Sequence, residues 1–360
     1  MKKQSVEDES QLTFSETKFQ TNLQFIERNL LESIMTVKLR MNEFLFIDGV
    51  DIRPEGIEYK DYLNCVKGLA EAVWSLNNDQ FSISNGSKGR FKIVLLLRPD
   101  IFQSIGLQNS TNKILNNSVF LDWRTKYTDY EYSDLFALSD KLLIFNQNKF
   151  EIQNIKNGDL FNYYFPWKMD STSEKRDFDT PFINFLRLCY SRPRDIVTII
   201  QIMQTIQKNK HPNQDVFLLD TFLSSEFKKA FSDYLMGSIK DQLAFYYTEE
   251  NYKMLLHFLK QFKGSADFSY EDYESKYKAF VEFVLLKASE LPEFIEDKDV
   301  FLQFLYECNL ICYFDEGIEE PLFRWCYRER KISDLSPAVE THKKYRFHYG
   351  LLKALNLGTY

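Results

Sequence analysis

Near the start of the chain, Phe19, Leu23, Ile26, Leu30, Ile34 and Val37 recur at spacings of three and four. This predicts an amphipathic helix over residues 15–40, with one apolar stripe. The pattern then changes to Glu43-Phe44-Leu45-Phe46-Ile47-Asp48-Gly49-Val50-Asp51, an apolar run closed by acidic residues. Such a run predicts a parallel strand buried on both faces, and ligands of open α/β sheets sit beyond the carboxyl ends of such strands. Asp48 and Asp51 would stand there. The same residues also read as a core strand followed by an Asp-Gly turn.

Helical spacing returns at Leu63, Val66, Leu69, Ala70, Val73 and Trp74, within residues 59–76, and residues 91–97 form a second unbroken apolar run ending in Arg98-Pro99-Asp100. Strand, helix and strand at these distances predict a βαβ unit with parallel neighbours and a right-handed crossover. That topology places Asp48, Asp51 and Arg98 on one sheet edge. Residues 119–123 read as a short third strand, and 129–145 as a helix leading away. Residues 150–176 are polar and aromatic without a sustained period, as in a linker.

Thr180 and Pro181 predict a capped helix start, and Arg192-Pro193-Arg194-Asp195 opens another helix reaching about residue 207, with Ile196, Ile199, Ile200 and Met203 on its buried face. Residues 215–291 are almost wholly helical in pattern, in segments near 219–246, 249–263 and 271–290. Residues 298–309 add a helix, 310–314 and 322–327 a β-hairpin around Glu316-Gly317, and 344–355 close the chain. Helices followed by such a two-stranded wing resemble a winged-helix domain. The expected fold class is α/β followed by mostly α. The expected domains are an incomplete parallel-sheet core (1–148), a linker or irregular excursion (149–176), a helical domain (177–292) and a winged-helix-like domain (293–360).

Composition adjusts this picture in three places. The 33 Phe and 21 Tyr against 12 Gly and 9 Pro favour helices with a large core over a Gly-rich all-β fold. A net charge of -7 gives no overall call for nucleic acid or an anionic membrane. Yet residues 324–353 hold eight Lys or Arg against three Asp or Glu. Arg324, Arg328, Arg330, Lys343, Lys344 and Arg346 are therefore candidate phosphate contacts to nucleic acid, or the solvated side of a wing packed on the rest of the chain.

The five cysteines are odd in number and scattered, and Met1-Lys2-Lys3-Gln4-Ser5 opens no signal-peptide pattern. Both features suggest free thiols in a reducing compartment. No apolar run approaches the ~20 residues that cross a bilayer, so the expected setting is cytoplasmic, away from the membrane. Cys308-x₃-Cys312, with Cys326, His342 and His348 nearby, fits zinc spacing only loosely, and its apolar surroundings favour buried thiols. The four histidines form no catalytic constellation, and no Gly-x-Ser-x-Gly elbow is present. The loop Asn85-Gly86-Ser87-Lys88-Gly89-Arg90 lies before a strand, where a phosphate-binding loop does not belong, and reads as a solvated turn.

One ordered set of motifs suggests a family. Phe-Leu-Phe-Ile-Asp-Gly-Val-Asp (44–51), Leu-Leu-Leu-Arg-Pro-Asp-Ile-Phe (95–102), Asn112-Lys113-Ile114, Leu121-Asp122-Trp123 and Ser191-Arg192-Pro193-Arg194-Asp195 follow one another. Together they resemble bacterial P-loop ATPases related to the AAA and STAND classes, from the Walker B strand onwards. The resemblance implies that Asp48 positions Mg²⁺, directly or through water, and that Asp51 orients water or metal. It also implies that Arg98 and Arg194 sense phosphate, Arg194 in the manner of a sensor 2 arginine. ATP and Mg²⁺ are the implied cofactors.

Members of that family carry a Walker A loop upstream of the acidic strand, and no G-x-x-x-x-G-K-[ST] pattern occurs in these 360 residues. The chain thus resembles the C-terminal portion of an ATPase: a nucleotide-dependent switch that does not turn over ATP alone. Its implied partner is another chain supplying the phosphate-binding loop, or a second copy in a homo-oligomer. The alternative is a non-enzymatic regulator or nucleic-acid-binding protein that uses the basic C-terminal surface.

Overall fold

The computed structural model describes residues 22–34, 36, 38–54, 56–82, 89–106, 117–144, 158–168, 180–244, 246–287, 290–315, 322–331 and 334–357. The chain forms two compact units, Met1–Asn117 and Ser118–Tyr360.

In the first unit, helix α1 (residues 22–34) precedes β1 (Glu43–Ile47), α2 (Tyr59–Ser75), β2 (Phe91–Leu95) and α3 (Pro99–Ser104). Strands β1 and β2 are adjacent and parallel, in register from Glu43 opposite Phe91 to Ile47 opposite Leu95. The expectation of adjacent parallel strands with a helix between them therefore holds for this pair. Beyond α2 the chain winds one π-turn, Leu76–Gln80. Asn77 from that turn bonds both backbone groups of Ile93, donating to its carbonyl at 2.7 Å and accepting from its N–H at 2.9 Å. A side-chain amide thus occupies the place a further strand would take on β2 at that residue.

The expectation of a strand buried on both faces is corrected. Phe44, Leu45 and Phe46 are 55%, 49% and 61% exposed. Among the described residues the sheet has only two strands, and no described element buries these three side chains. Among the described residues of this unit the buried hydrophobics are few: Val66, Val73, Phe81, Ile101 and Ile105.

The second unit is mostly helical. Its helices are α4 (Asp134–Ile144), α5 (Asp159–Tyr164), α6 (Pro181–Leu188), α7 (Pro193–Lys210), α8 (Leu219–Leu223), α9 (Ser225–Ala244), α10 (Glu249–Leu259), α11 (Tyr270–Leu285), α12 (Lys298–Glu307), α13 (Cys326–Glu329) and α14 (Leu352–Leu355). Four short antiparallel strands, β3 (Asp267–Phe268), β4 (Ile311–Phe314), β5 (Arg324–Trp325) and β6 (Lys344–Phe347), form a sheet in the order β3-β6-β4-β5. Capping follows local chemistry. The Thr180 hydroxyl accepts from Ile183 N–H at the start of α6, Ser269 and Asp272 form a reciprocal box before α11, and Asp297 accepts from Asp299 and Val300 N–H before α12.

Several sequence expectations change here. Residues 119–123 are irregular, with Val119 and Leu121 exposed, and form no strand. Within the expected linker, Leu160, Phe161 and Phe165 are core residues, and Phe165 stacks on Phe217 at 4.6 Å. Buried Asp140 fixes this segment by accepting from Phe161 N–H at 2.8 Å. The unit boundary falls after Asn117 rather than 148, because 118–144 pack with the helices that follow. Residues 177–292 and 293–360 share one continuous core instead of forming two domains. The expected hairpin pairs as β4 and β5, with Glu316-Gly317 outside the described residues, but β6 inserts between β3 and β4 and makes a four-stranded sheet instead of a two-stranded wing.

Candidate functional site

The acidic edge lies at the carboxyl ends of β1 and β2. Gly49 adopts a left-handed conformation (φ 82°), which turns the chain immediately after Asp48 and is open to glycine at little cost. Asp48 Oδ1 accepts from Gly49 N–H at 2.7 Å, and Ile52 N–H closes the turn on Gly49 carbonyl at 3.2 Å. The Tyr62 hydroxyl, from α2, donates to the carbonyls of Val50 and Ile52, both at 3.1 Å. Burial, followed by the nearby Asp51 charge, raises the Tyr62 pKa. The helix between the strands thus anchors the loop that carries both aspartates.

Arg98 joins the two strand ends. Its Nη1 lies 3.8 Å from Asp51 Oδ2, and its Nε donates to Asp100 Oδ1 at 3.1 Å, with a second close contact from Nη2 to the same carboxylate. Of the residues expected on this edge, the structure pairs Asp51 with Arg98 and adds Asp100. Arg98 is shared by two carboxylates, and Asp48 adds a third at the end of β1. Such an edge suits a hydrated cation and repels a bare polyphosphate unless further cations arrive. Among the described residues, no group of three or more His, Cys, Asp or Glu is spaced to hold a metal ion directly.

Arg194 sits in the second unit, exposed in the first turn of α7. Its neighbour Arg192 is the engaged one, with Nη2 2.8 Å from Asp195 Oδ1 and its guanidinium 5.0 Å from the centre of the Tyr190 ring. Buried Asp195 also accepts from Tyr190 N–H at 2.9 Å and from the Tyr234 hydroxyl at 2.9 Å. Burial first, then the Asp195 charge, lifts the Tyr234 pKa to about 12. This network fixes the start of α7; it is a structural clasp built on the Arg-x-x-Asp spacing.

The basic residues between 324 and 353 are mostly spent inside the protein. Arg346 makes a two-pronged contact with Asp267, both distances 2.5 Å, and lies 4.6 Å over the Phe323 ring. Arg328 stacks between Tyr127 and Tyr327 at 4.7 and 5.7 Å, and Arg330 donates to Glu307 carbonyl at 3.0 Å. Lys343 pairs with Asp315 and Glu340. Arg324 and Lys344 occupy the partly exposed strands β5 and β6.

Sequence reasoning missed Arg124. It is held by Asp122 and donates to the carbonyls of Arg328 and Arg330 at 3.0 and 2.5 Å, tying the Leu121-Asp122-Trp123 segment to α13. The only local signal is an Asp-x-Arg spacing, which does not reveal a partner more than two hundred residues away. Cys189 and Cys326 are buried thiols whose pKa values burial pushes up to about 12 and about 11. They are poor nucleophiles and poor metal ligands in that state. No helix among the described residues is long and apolar enough to cross a membrane.

No family model, no curated protein and no solved structure matches the chain.

Proposed function

We propose that this chain is the C-terminal portion of a P-loop ATPase and acts as a nucleotide-dependent switch, which turns over ATP only when another segment or chain supplies a phosphate-binding loop. The observation that carries the reading is the pairing of Asp51 with Arg98 at the carboxyl edge of a parallel β1–β2 pair, with Asp48 directly after β1. In this reading Asp48 and Asp51 hold hydrated Mg²⁺, and Arg98 changes partner from Asp51 to a phosphate oxygen when nucleotide arrives. In this reading the acidic residues at the edge keep nucleotide binding by the chain alone weak and dependent on Mg²⁺. The poorly covered β1 agrees with a sheet that gains further elements. ATP and Mg²⁺ are the cofactors, and the partner is a chain bearing the loop or a second copy. Arg194 is the more remote phosphate sensor.

The rival reading as a nucleic-acid-binding regulator draws less support, because Arg328, Arg330, Lys343 and Arg346 are engaged by tyrosine rings, a carbonyl and carboxylates within the protein.

Calorimetry of the purified chain is expected to show Mg²⁺-dependent ATP binding with Kd on the order of 1 mM, weakened at least severalfold in Asp48→Asn, and no phosphate release above background. Absence of any Mg²⁺-dependent binding at ten times that concentration sinks the assignment. Robust turnover lost in Asp48→Asn would instead overturn the need for an outside loop.

A further inference from the structure

Arg98 reaches its two carboxylates by unlike routes. The contact with Asp100 is local. Arg98 precedes α3 in an extended conformation (φ -72°, ψ 144°), Pro99 fills the first helical position, and Asp100 follows in the first turn. A residue before proline is driven to that extended backbone, and proline suits the first position of a helix, so the Arg-Pro-Asp order itself sets the chain geometry at this corner. The pairing is two-pronged and side-on, with Nε donating to Asp100 Oδ1 at 3.1 Å and Nη2 in close contact with Oδ2. Such a fork is the stronger form of arginine–carboxylate pairing.

The contact with Asp51 depends instead on the pairing of β1 with β2, which brings the two strand ends level. It is a single approach, Nη1 to Oδ2 at 3.8 Å, longer than a hydrogen bond. The Asp51 side chain is 41% exposed against 20% for Asp100, so water screens it more. Arg98 therefore gives up Asp51 more readily than Asp100. Once Asp51 is released, a carboxylate still lies along the Nε–Nη2 edge, and its charge offsets part of the field that a phosphate oxygen meets at Nη1.

We propose that Asp100 is a positioning residue that restrains Arg98: it fixes the guanidinium with Nη1 towards Asp51 and holds down its affinity for a phosphate oxyanion. The inference rests on the nucleotide reading above and gives it a sign. A residue that only supports the fold weakens binding when it is changed, whereas removal of this restraint strengthens it.

The test is calorimetric titration of the full chain, Asp100→Asn, Arg98→Gln and the double variant, at constant ionic strength. The probes are Mg·ATP and, without a base or sugar, tripolyphosphate. Asp100→Asn is expected to tighten Mg·ATP about two- to fivefold, the range open to a partly exposed ion pair. Arg98→Gln should weaken it, and the gain should vanish in the double variant because it acts through Arg98. Asp100→Glu, which keeps the charge, should bind as the wild type does, and Asp100→Ser should repeat the gain should Asn disturb the turn. Tightening that persists without Arg98 would assign the effect to the general loss of a negative charge and overturn the restraint. Unchanged or weaker binding in both neutral variants, with the wild type still binding, would overturn it while leaving the nucleotide reading in place. A wild type that ignores Mg·ATP beside an Asp100→Asn chain that takes tripolyphosphate through Arg98 would keep the restraint and remove the nucleotide. No binding of either probe by any of the chains up to about 10 mM would overturn both.

Discussion

Residues 1–117 and residues 118–360 distribute apolar side chains in contrasting ways. Among its described residues the first unit leaves Phe25, Ile26, Leu30, Phe44, Phe46 and Ile52 more than half exposed and buries five hydrophobic residues. The second buries a continuous aromatic core in which Phe258, Tyr273, Phe280 and Phe301 touch edge to face, tilted or stacked, with ring centres 4.8 to 6.1 Å apart. Burial stabilises by about 25 cal/mol per Å², against an ordering cost of about 1–2 kcal/mol for each backbone residue. The difference teaches that the second unit has the means to fold by itself, while the described part of the first lacks enough buried area to offset the ordering of its own chain.

The sharpest way to break this comparison is to separate the units. Residues 118–360 expressed alone are expected to unfold cooperatively near the temperature of the full chain. Residues 1–117 alone should bind a hydrophobic dye and show no cooperative transition by calorimetry. A cooperative, dye-free 1–117 fragment would show that its exposed apolar residues need no cover.

Point substitutions sharpen the contrast. Leu235 in α9 is fully buried, so Leu235→Ala should cost about 2–5 kcal/mol in urea unfolding, through lost transfer energy and a residual cavity. Phe44→Ala on β1 should change stability by less than about 0.5 kcal/mol. Comparable losses at the two positions would mean that β1 is covered in solution.

A pH dependence in the second unit gives a further handle on the comparison. His348 is buried against Tyr190 and Trp325, with ring centres 4.4 and 4.9 Å away, and its Nδ1 accepts from Gly350 N–H at 3.3 Å. Burial, then the Arg328 charge, lowers its pKa from 6.5 to about 3. The unfolded chain therefore binds a proton between these two values while the folded chain does not. The His348 contribution is complete above pH 6.5 and is lost as pH falls towards 3, amounting to about 2 kcal/mol between pH 7 and pH 5. His348→Phe should remove that portion of the slope in urea melts at the two pH values. An identical slope in the variant would assign the acid sensitivity to other groups.

What the sequence determined was local. Paired apolar runs separated by one amphipathic helix fixed the parallel β1–β2 pair and brought Asp51 and Arg98 to one edge. Thr180 before Pro181 marked the start of α6, and the spacing of Ile196, Ile199 and Met203 marked the buried face of α7. Each of these depends on neighbours a few residues apart or on one crossover. The family resemblance went further than the geometry does, because motif order implies a phosphate loop that these 360 residues do not contain.

Tertiary structure alone decided the rest. An apolar run states that a strand favours burial, but whether a layer reaches it depends on other elements, which is why Phe44 and Phe46 read as core and stand exposed. Residues 158–168 lacked a period because the segment is short and packs on aromatics from several helices, so its place in the core has no repeat to announce it. The basic residues near the C-terminus looked like a surface because their partners are remote: Arg346 meets Asp267 across 79 positions, and Arg328 meets the ring of Tyr127. Charge counted along the chain carries no information about such neutralisation, which arises only when β6 docks beside β3 and α13 packs on the segment around Tyr127.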